Sequence, residues 1–525
     1  MAFKRASGII LHPTSLPGPD GIGDLGPEAY RWVDFLAGSG CSLWQVLPLG
    51  PTGYGDSPYQ CFSAFAGNPY LVSPTILLDE GLLTREDLAD RPAFPVHMVD
   101  YGPVITWKLT LLERAFKHFE ENQKSPLHKE FKTFQEENAA WLQDFALFMA
   151  IKEDLGSGSW EVWPLELRRR DPKALKAFIK KDAAAITIHM FRQFLFFRQW
   201  KALKAYANKK GISIIGDIPI FIAFDSADAW SHTELFLMDD EARPTVVAGV
   251  PPDYFSPTGQ LWGNPLYRWD AHEKTGYAWW IERFKATLQL VDIIRLDHFR
   301  GFAGYWEIPA GMPTAEIGQW VQGPGAPFFE AILKALPGLP IIAEDLGEIT
   351  VDVIALREKF GFPGMKIFQF AFDSTPDAPF LPHNYPQNCV AYTGTHDNDT
   401  SKGWYNNTAD REKDFIRRYL ARSGEDIAWD MIRAVWNSVA VMTLAPMQDL
   451  LSLDTSARMN FPGRASGNWS WRMWPEAMSD GLKMRLRETN YLYSRLPDAM
   501  KERREPAPKV LNYVPFNHPP LSKPD

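Results

Sequence analysis

Apolar residues gather in short unbroken runs along the chain, and each run ends in a polar or turn-forming residue. Ser7–Pro13 reads SGIILHP, Cys41–Leu49 CSLWQVLPL, Gly211–Pro219 GISIIGDIP and Val291–Phe299 VDIIRLDHF. Leu339–Gly347 reads LPIIAEDLG, Met365–Phe370 MKIFQF, Cys389–Asp397 CVAYTGTHD and Met442–Asp449 MTLAPMQD. Near-continuous apolar runs mark strands buried on both faces of a parallel sheet, whereas a half-exposed strand alternates. Helical stretches lie between several of them. Residues 184–207 carry Phe194, Phe197 and Leu203 and lead into the strand at Gly211, and Leu109, Leu112, Phe116 and Phe119 fit one helical face.

Eight such strands predict an α/β fold, a (β/α)8 TIM barrel running through residues 1–500. The spacing is unequal. The gaps from Leu49 to Gly211 and from Pro219 to Val291 exceed one βα unit. They predict two insertions, a mostly helical one over 75–190 and an aromatic, loop-rich lid region over 225–285. Residues 501–525 read as a Pro-rich tail, and no tandem repeat is found.

Composition narrows the class. With 45% hydrophobic and 23% charged residues, the chain is that of a folded protein and not a disordered one. A net charge of −9 argues against nucleic acid as a partner. Three cysteines, Cys41, Cys61 and Cys389, make no disulfide framework and no zinc spacing. Apolar runs such as Phe145–Ile151 fall far short of the ~18 residues of a membrane span. The start, MAFKRASGIILHP, lacks the long apolar stretch of a signal peptide. A cytoplasmic protein with no membrane partner is expected, and the acidic surface suits a monomer. The 20 Trp, 34 Phe and 17 Tyr suit flat, amphipathic ligands such as sugar rings.

In barrels the chemistry sits at the C-terminal ends of strands. Three such ends carry carboxylates: Asp297 in RLDH, Glu344 in IIAED and Asp397 in THD. Arg295 and Asp297 are two apart on a strand and share a face, so the arginine favours an ionised Asp297, as a carboxylate nucleophile requires. Glu344 follows an apolar run, where desolvation raises its pKa and keeps a proton for a leaving group. A carboxylate and a carboxylic acid in those states are the apparatus of glycosidic-bond cleavage. Asp345, beside Glu344, points the other way and reads as structural. Two Gly/Pro/aromatic loops, Leu49–Leu71 and Val250–Tyr267, read as a cleft wall and a lid. Their Tyr54, Tyr59, Tyr254, Phe255 and Trp262 would face sugars. Dinucleotide, P-loop, HExxH and GxSxG motifs are absent, and the histidines show no metal-binding pair.

These residues also fall in long motifs. HPTSLPGPDGIGDLG (12–26), WQVLPLGPTGYGDSPYQCFSAFAGNPYL (44–71), GDIPIFIA (216–223) and RPTVVAGVPPDYFSPTGQLWGNPLYRWD (243–270) are followed by RLDHFRGFAGYWEIPA (295–310) and AEDLG (343–347). GMKIFQFAFD (364–373), YTGTHDNDT (392–400) and ARMNFPG…GNWSWR (457–472) complete the set. From about residue 6 to 497 the chain resembles the 4-α-glucanotransferases of glycoside hydrolase family 77, in the α-amylase clan. The resemblance implies an enzyme that moves α-1,4-glucan segments between chains. It implies Asp297 as nucleophile, Glu344 as general acid/base and Asp397 as transition-state stabiliser. It implies that Arg295, His298 and His396 orient the nucleophile and grip sugar hydroxyls, and that Asp217 is the clan's third-strand aspartate. Tyr59, Asp253, Phe255, Gln260, Trp262, Phe370 and Asn468 then line donor and acceptor subsites, and Tyr54 and Tyr101 a secondary glucan groove. No metal and no cofactor is implied. A plain α-glucan hydrolase on the same site, a non-catalytic glucan-binding protein and a metal-dependent barrel enzyme are the alternatives.

Overall fold

A computed structural model describes residues 3–252, 256–372 and 375–501. Asp253, Tyr254, Phe255 and the Pro-rich tail from 502 onward lie outside the described residues. Twelve strands are described: β1 (Ala6–Ile10), β2 (Leu43–Gln45), β3 (Ser213–Pro219), β4 (Val246–Val250), β5 (Gln260–Pro265) and β6 (Ile293–Asp297), followed by β7 (Gly304–Pro309), β8 (Gln319–Gln322), β9 (Ile341–Ala343), β10 (Gly364–Ile367), β11 (Cys389–Tyr392) and β12 (Met442–Pro446).

Eight of them form one parallel sheet in the order β10-β11-β12-β1-β2-β3-β6-β9. The ends meet where the Ala343 N–H donates to the Pro363 carbonyl at 2.9 Å and the Met365 N–H to Asp345 Oδ1 at 2.7 Å. The sheet is therefore a nearly closed barrel, and its strands are the eight apolar runs of the sequence. Inside it, Ile10, Leu43, Ile215, Ile293, Ile342, Met365, Val390 and Leu444 pack together. The alternate residues, such as Ile214, Ile294 and Leu296, pack outward with the surrounding helices. That double burial is why the strands read as continuous apolar runs.

Between β2 and β3 the chain is helical. It runs through Tyr101–Glu121, Leu127–Glu137, Ala139–Asp154 and Ala183–Lys209, and the last of these leads into β3. On the Tyr101–Glu121 helix, Leu112, Phe116 and Phe119 are buried as their spacing predicts, whereas Leu109 is half-buried at the edge of that face. Between β3 and β6 lie β4 and β5, which pair antiparallel and join β7 and β8 in a second sheet, β5-β4-β7-β8. The stretch over 225–285, expected to be aromatic and loop-rich, thus also contains two strands. These strands are short and partly exposed, and they pair across distant segments. Asp345 is structural, as expected: it holds Arg357 and the Met365 amide. The three cysteines are free. Among the described residues no helix is long and apolar enough to cross a membrane.

Candidate active site

The inward face of β6 changes character toward its C-terminal end, from Ile293 to Arg295 to Asp297. Parallel register sets Arg295 beside Asp217 of β3. One guanidinium nitrogen, Nη1, then bonds Asp217 Oδ2 at 2.6 Å and Asp297 Oδ1 at 2.9 Å. The Tyr59 hydroxyl donates to the same Asp217 oxygen at 2.8 Å. Asp217 stands close because Gly216 before it packs on Val291: an added Cβ would come within 2.5 Å of Val291 Cγ1. Burial alone would lower the Arg295 pKa, but the two carboxylates outweigh it and hold the group firmly charged.

Glu344 follows β9 directly. Its backbone N–H donates to the Leu296 carbonyl at 3.0 Å, which continues the β6–β9 ladder by one residue. His298 adopts φ 50° and ψ 50°, the left-handed region. For a residue with a Cβ this costs on the order of 1 kcal/mol. The turn aims the His298 N–H at Glu344 Oε2 (2.7 Å) and the Phe299 N–H at the Glu344 carbonyl (3.0 Å). The Leu346 N–H bonds Oε1 at 2.9 Å. The nucleophile candidate and the acid candidate are thus fastened together through the residue that separates their strands' ends.

Electrostatics separates the two carboxyls. Burial raises Asp297, and Arg295 pulls it back. Burial raises Glu344 further, the charge of Asp297 adds to the rise, and the two backbone N–H bonds only partly oppose it. The shared proton therefore resides on Glu344, and Asp297 is the ionised partner. Asp397 is half exposed in the same cleft. Burial would raise its pKa, but His396 (Nε2 to Oδ2, 3.3 Å) and the Asn460 amide (2.7 Å to Oδ1) hold it well below the usual carboxylate range. Burial pushes the His298 ring down to about 3, so it is neutral, and its Nε2 has no partner among the described residues.

These groups line one cleft of about 570 Å³. Arg295, Asp297, His298, Glu344, His396 and Asp397 form its floor, with Tyr54, Tyr59, Gln260, Trp262, Phe370 and Asn468 along its walls. Trp262 stands edge-on to His298 at 4.8 Å, and Tyr59 stacks on His396 at 5.1 Å. Tyr54 is 78% exposed and Phe370 42%, as open aromatic faces at the rim. Asp217 lies beneath the floor and acts through Arg295 and Tyr59. Tyr101 is not brought into the cleft; its hydroxyl donates to the Trp469 carbonyl at 2.9 Å. The structure adds residues that the motifs contained but that received no role: Asn460 on Asp397, Arg458 on the Asp397 carbonyl (2.6 Å), and Trp469 against Tyr59 and His396. All three sit in the ARMNFPG…GNWSWR segment, whose conformation no periodicity announces. Among the described residues no group of acidic, histidine and cysteine side chains is arranged to hold a metal ion.

A nearly closed parallel barrel, with an arginine-held carboxylate beside a half-buried carboxylic acid in an aromatic-walled cleft, defines a barrel enzyme of glycosidic-bond chemistry. Comparison with known proteins gives the family. The model of glycoside hydrolase family 77, 4-alpha-glucanotransferase, matches residues 11–477. A 4-alpha-glucanotransferase of Thermus thermophilus is 53% identical over 495 residues, covering 93% of this chain and 98% of that one. A chloroplastic/amyloplastic 4-alpha-glucanotransferase of Solanum tuberosum is 44% identical, covering 94% of this chain and 87% of that one. The amylomaltase of Streptococcus agalactiae, solved in complex with acarbose, matches with a TM-score of 0.92 at 42% identity, covering 94% of this chain and 100% of that one. The chain belongs to the 4-alpha-glucanotransferase family, glycoside hydrolase family 77.

Proposed function

We propose that this 4-α-glucanotransferase works by double displacement, with Asp297 as nucleophile and Glu344 as acid and then base. Asp297 attacks the anomeric carbon of an α-1,4-glucan while Glu344 gives its proton to the leaving 4-oxygen. The reducing-end fragment departs and a glycosyl-enzyme remains. The 4-hydroxyl of an acceptor glucan enters, Glu344 takes its proton, and the new α-1,4 bond releases Asp297. Two inversions give net retention. Asp397, ionised by its bonds to His396 and Asn460, holds hydroxyls of the ring as it flattens, and the neutral His298 offers Nε2 to another. Asp217 keeps Arg295 charged and aimed at Asp297. The observation that carries this reading is the division of labour between the two carboxyls: Asp297 is ion-paired to Arg295, whereas Glu344 has no ion pair among the described residues and accepts two backbone N–H bonds.

Transfer outruns hydrolysis when a sugar, and not water, reaches the intermediate. Trp262 on β5 stands edge-on to His298, its indole N–H bonded to Gln260, and shields that side of the cleft, while Tyr54 and Phe370 offer stacking faces to an acceptor. A cytoplasmic monomer acting on maltooligosaccharides, amylose, starch or glycogen fits the acidic chain.

Chromatography after incubation with maltotriose and EDTA tests the reading. Glucose together with a ladder of longer maltooligosaccharides is expected. Glucose and maltose alone would make the protein a hydrolase, and loss of activity in EDTA would favour a metal-dependent site.

The pH dependence follows from the same pair. Asp297 must lose its proton, so its raised pKa places the acid limb of kcat/KM above the ordinary aspartate range. Glu344 must keep its proton, so its raised pKa places the alkaline limb well above the glutamate value of about 4.3. A bell open through neutral pH is expected. A rate that falls as pH rises through 4 to 5 would contradict it.

A further inference from the structure

Trp469, in the cleft wall, holds φ +62°. That region is unfavourable for a bulky residue and persists only where neighbours over-determine it. Its N–H donates to the Met459 carbonyl at 2.7 Å. Its carbonyl accepts from the Tyr101 hydroxyl at 2.9 Å, across 368 positions of sequence. Its indole packs 5.8 Å from the Tyr59 ring and 5.9 Å from the His396 ring. The loop that ends at Trp469 also carries Asn460, whose amide holds Asp397 and whose N–H bonds the His396 carbonyl at 3.1 Å.

Tyr101 opens the helix Tyr101–Glu121 and lies outside the cleft lining. Its neighbours are tied to the same segment without it. The Val99 N–H donates to the Ser470 carbonyl at 2.7 Å, and the Arg472 N–H to the His97 carbonyl at 3.0 Å. The Tyr101 hydroxyl adds one bond, to the one carbonyl of this stretch that belongs to a left-handed residue.

We propose that Tyr101 is a positioning residue for the reaction. Its hydroxyl latches the Trp469 carbonyl, keeps the left-handed turn, and so holds the indole against His396 and the 458–469 loop against Asp397. The proposal rests on the reading of Asp397 as a transition-state contact. It gives Tyr101 a task other than the secondary glucan groove that the family resemblance implied: the latch acts on every turnover, even on donors too short to leave the cleft.

Tyr101→Phe keeps the ring and deletes the hydroxyl. With maltotriose, kcat is expected to fall about three- to ten-fold, the worth of one such hydrogen bond, with little change in KM. Tm stays within about 2 °C of the parent. Trp469→Phe keeps the carbonyl that Tyr101 holds but removes most of the indole that the latch positions, so it lowers kcat in the same direction and Tyr101→Phe costs less in that background than in the parent. The tryptophan band of near-ultraviolet circular dichroism, to which the lost tyrosine itself adds nothing, gives a readout independent of turnover: Tyr101→Phe changes it in the parent but not in Trp469→Phe. An unchanged kcat together with an unchanged tryptophan signal would overturn the latch. A loss confined to long amylose, with maltotriose untouched, would overturn it too and make Tyr101 a sugar platform. Failure of the parent enzyme to disproportionate maltotriose strikes the proposed function instead, and leaves the aromatic signal to judge the latch.

Discussion

Asp297→Asn is expected to lower kcat about 10⁴-fold or more while the protein stays folded. The magnitude follows from removing the atom that forms the covalent bond, since no remaining group replaces a nucleophile held in line. The fold survives because Asp297 is 29% exposed and accepts from Arg295, which keeps its 2.6 Å bond to Asp217. Asparagine matches the shape, so the barrel interior is not disturbed. Circular dichroism and Tm should match the parent. Asp297→Ala extends the test. Azide then enters from the face that Asp297 vacates, and a glucosyl donor with a good leaving group gives the β-glucosyl azide. A variant that retains more than a few per cent of the activity would refute the assignment.

Glu344→Gln carries the second large effect, a loss of about 10²–10⁴ in kcat on maltooligosaccharides. A sugar leaving group needs the proton that glutamine cannot supply. Fluoride needs none. With α-maltosyl fluoride the first step should therefore proceed at a rate near that of the parent enzyme, while the second step stalls for lack of a base. The glycosyl-enzyme accumulates. Equal loss on fluoride and maltooligosaccharide would show that Glu344 is not the acid. The structure supplies the reason for choosing glutamine over alanine. Both Glu344 oxygens accept backbone N–H bonds, from His298 and Leu346, and an amide oxygen preserves one of them.

Much of this arrangement was legible in the sequence, for physical reasons that differ between its parts. The barrel strands announced themselves because burial on both faces removes alternation. Arg295 and Asp297 could be paired because residues two apart on a strand share a face, and Glu344 stood out as a carboxyl following three apolar residues. The second sheet was not legible. β4 and β7 pair across a gap that contains β5 and β6, and β8 is exposed along most of its length, so no local pattern separates them from loops. The Asp217–Arg295 contact depends on register between β3 and β6, which apolar runs do not encode. His298 and Trp469 take left-handed conformations with no glycine to signal them. Asn460 and Arg458 reach Asp397 from a loop whose shape is set by long-range bonds. The motifs contained these residues, but only the three-dimensional contacts give them partners. Asp253 and Phe255 remain expectations from the resemblance.

The central claim is that Asp297 becomes covalently glycosylated and that Glu344 controls both proton transfers. Mass spectrometry of Glu344→Gln after brief exposure to α-maltosyl fluoride tests it most directly. The account predicts a protein heavier by one maltosyl group, with the label on the proteolytic fragment that contains Asp297, and loss of the label when azide is added. An unlabelled protein that still turns over, or a label on Asp397 or another residue, would contradict it.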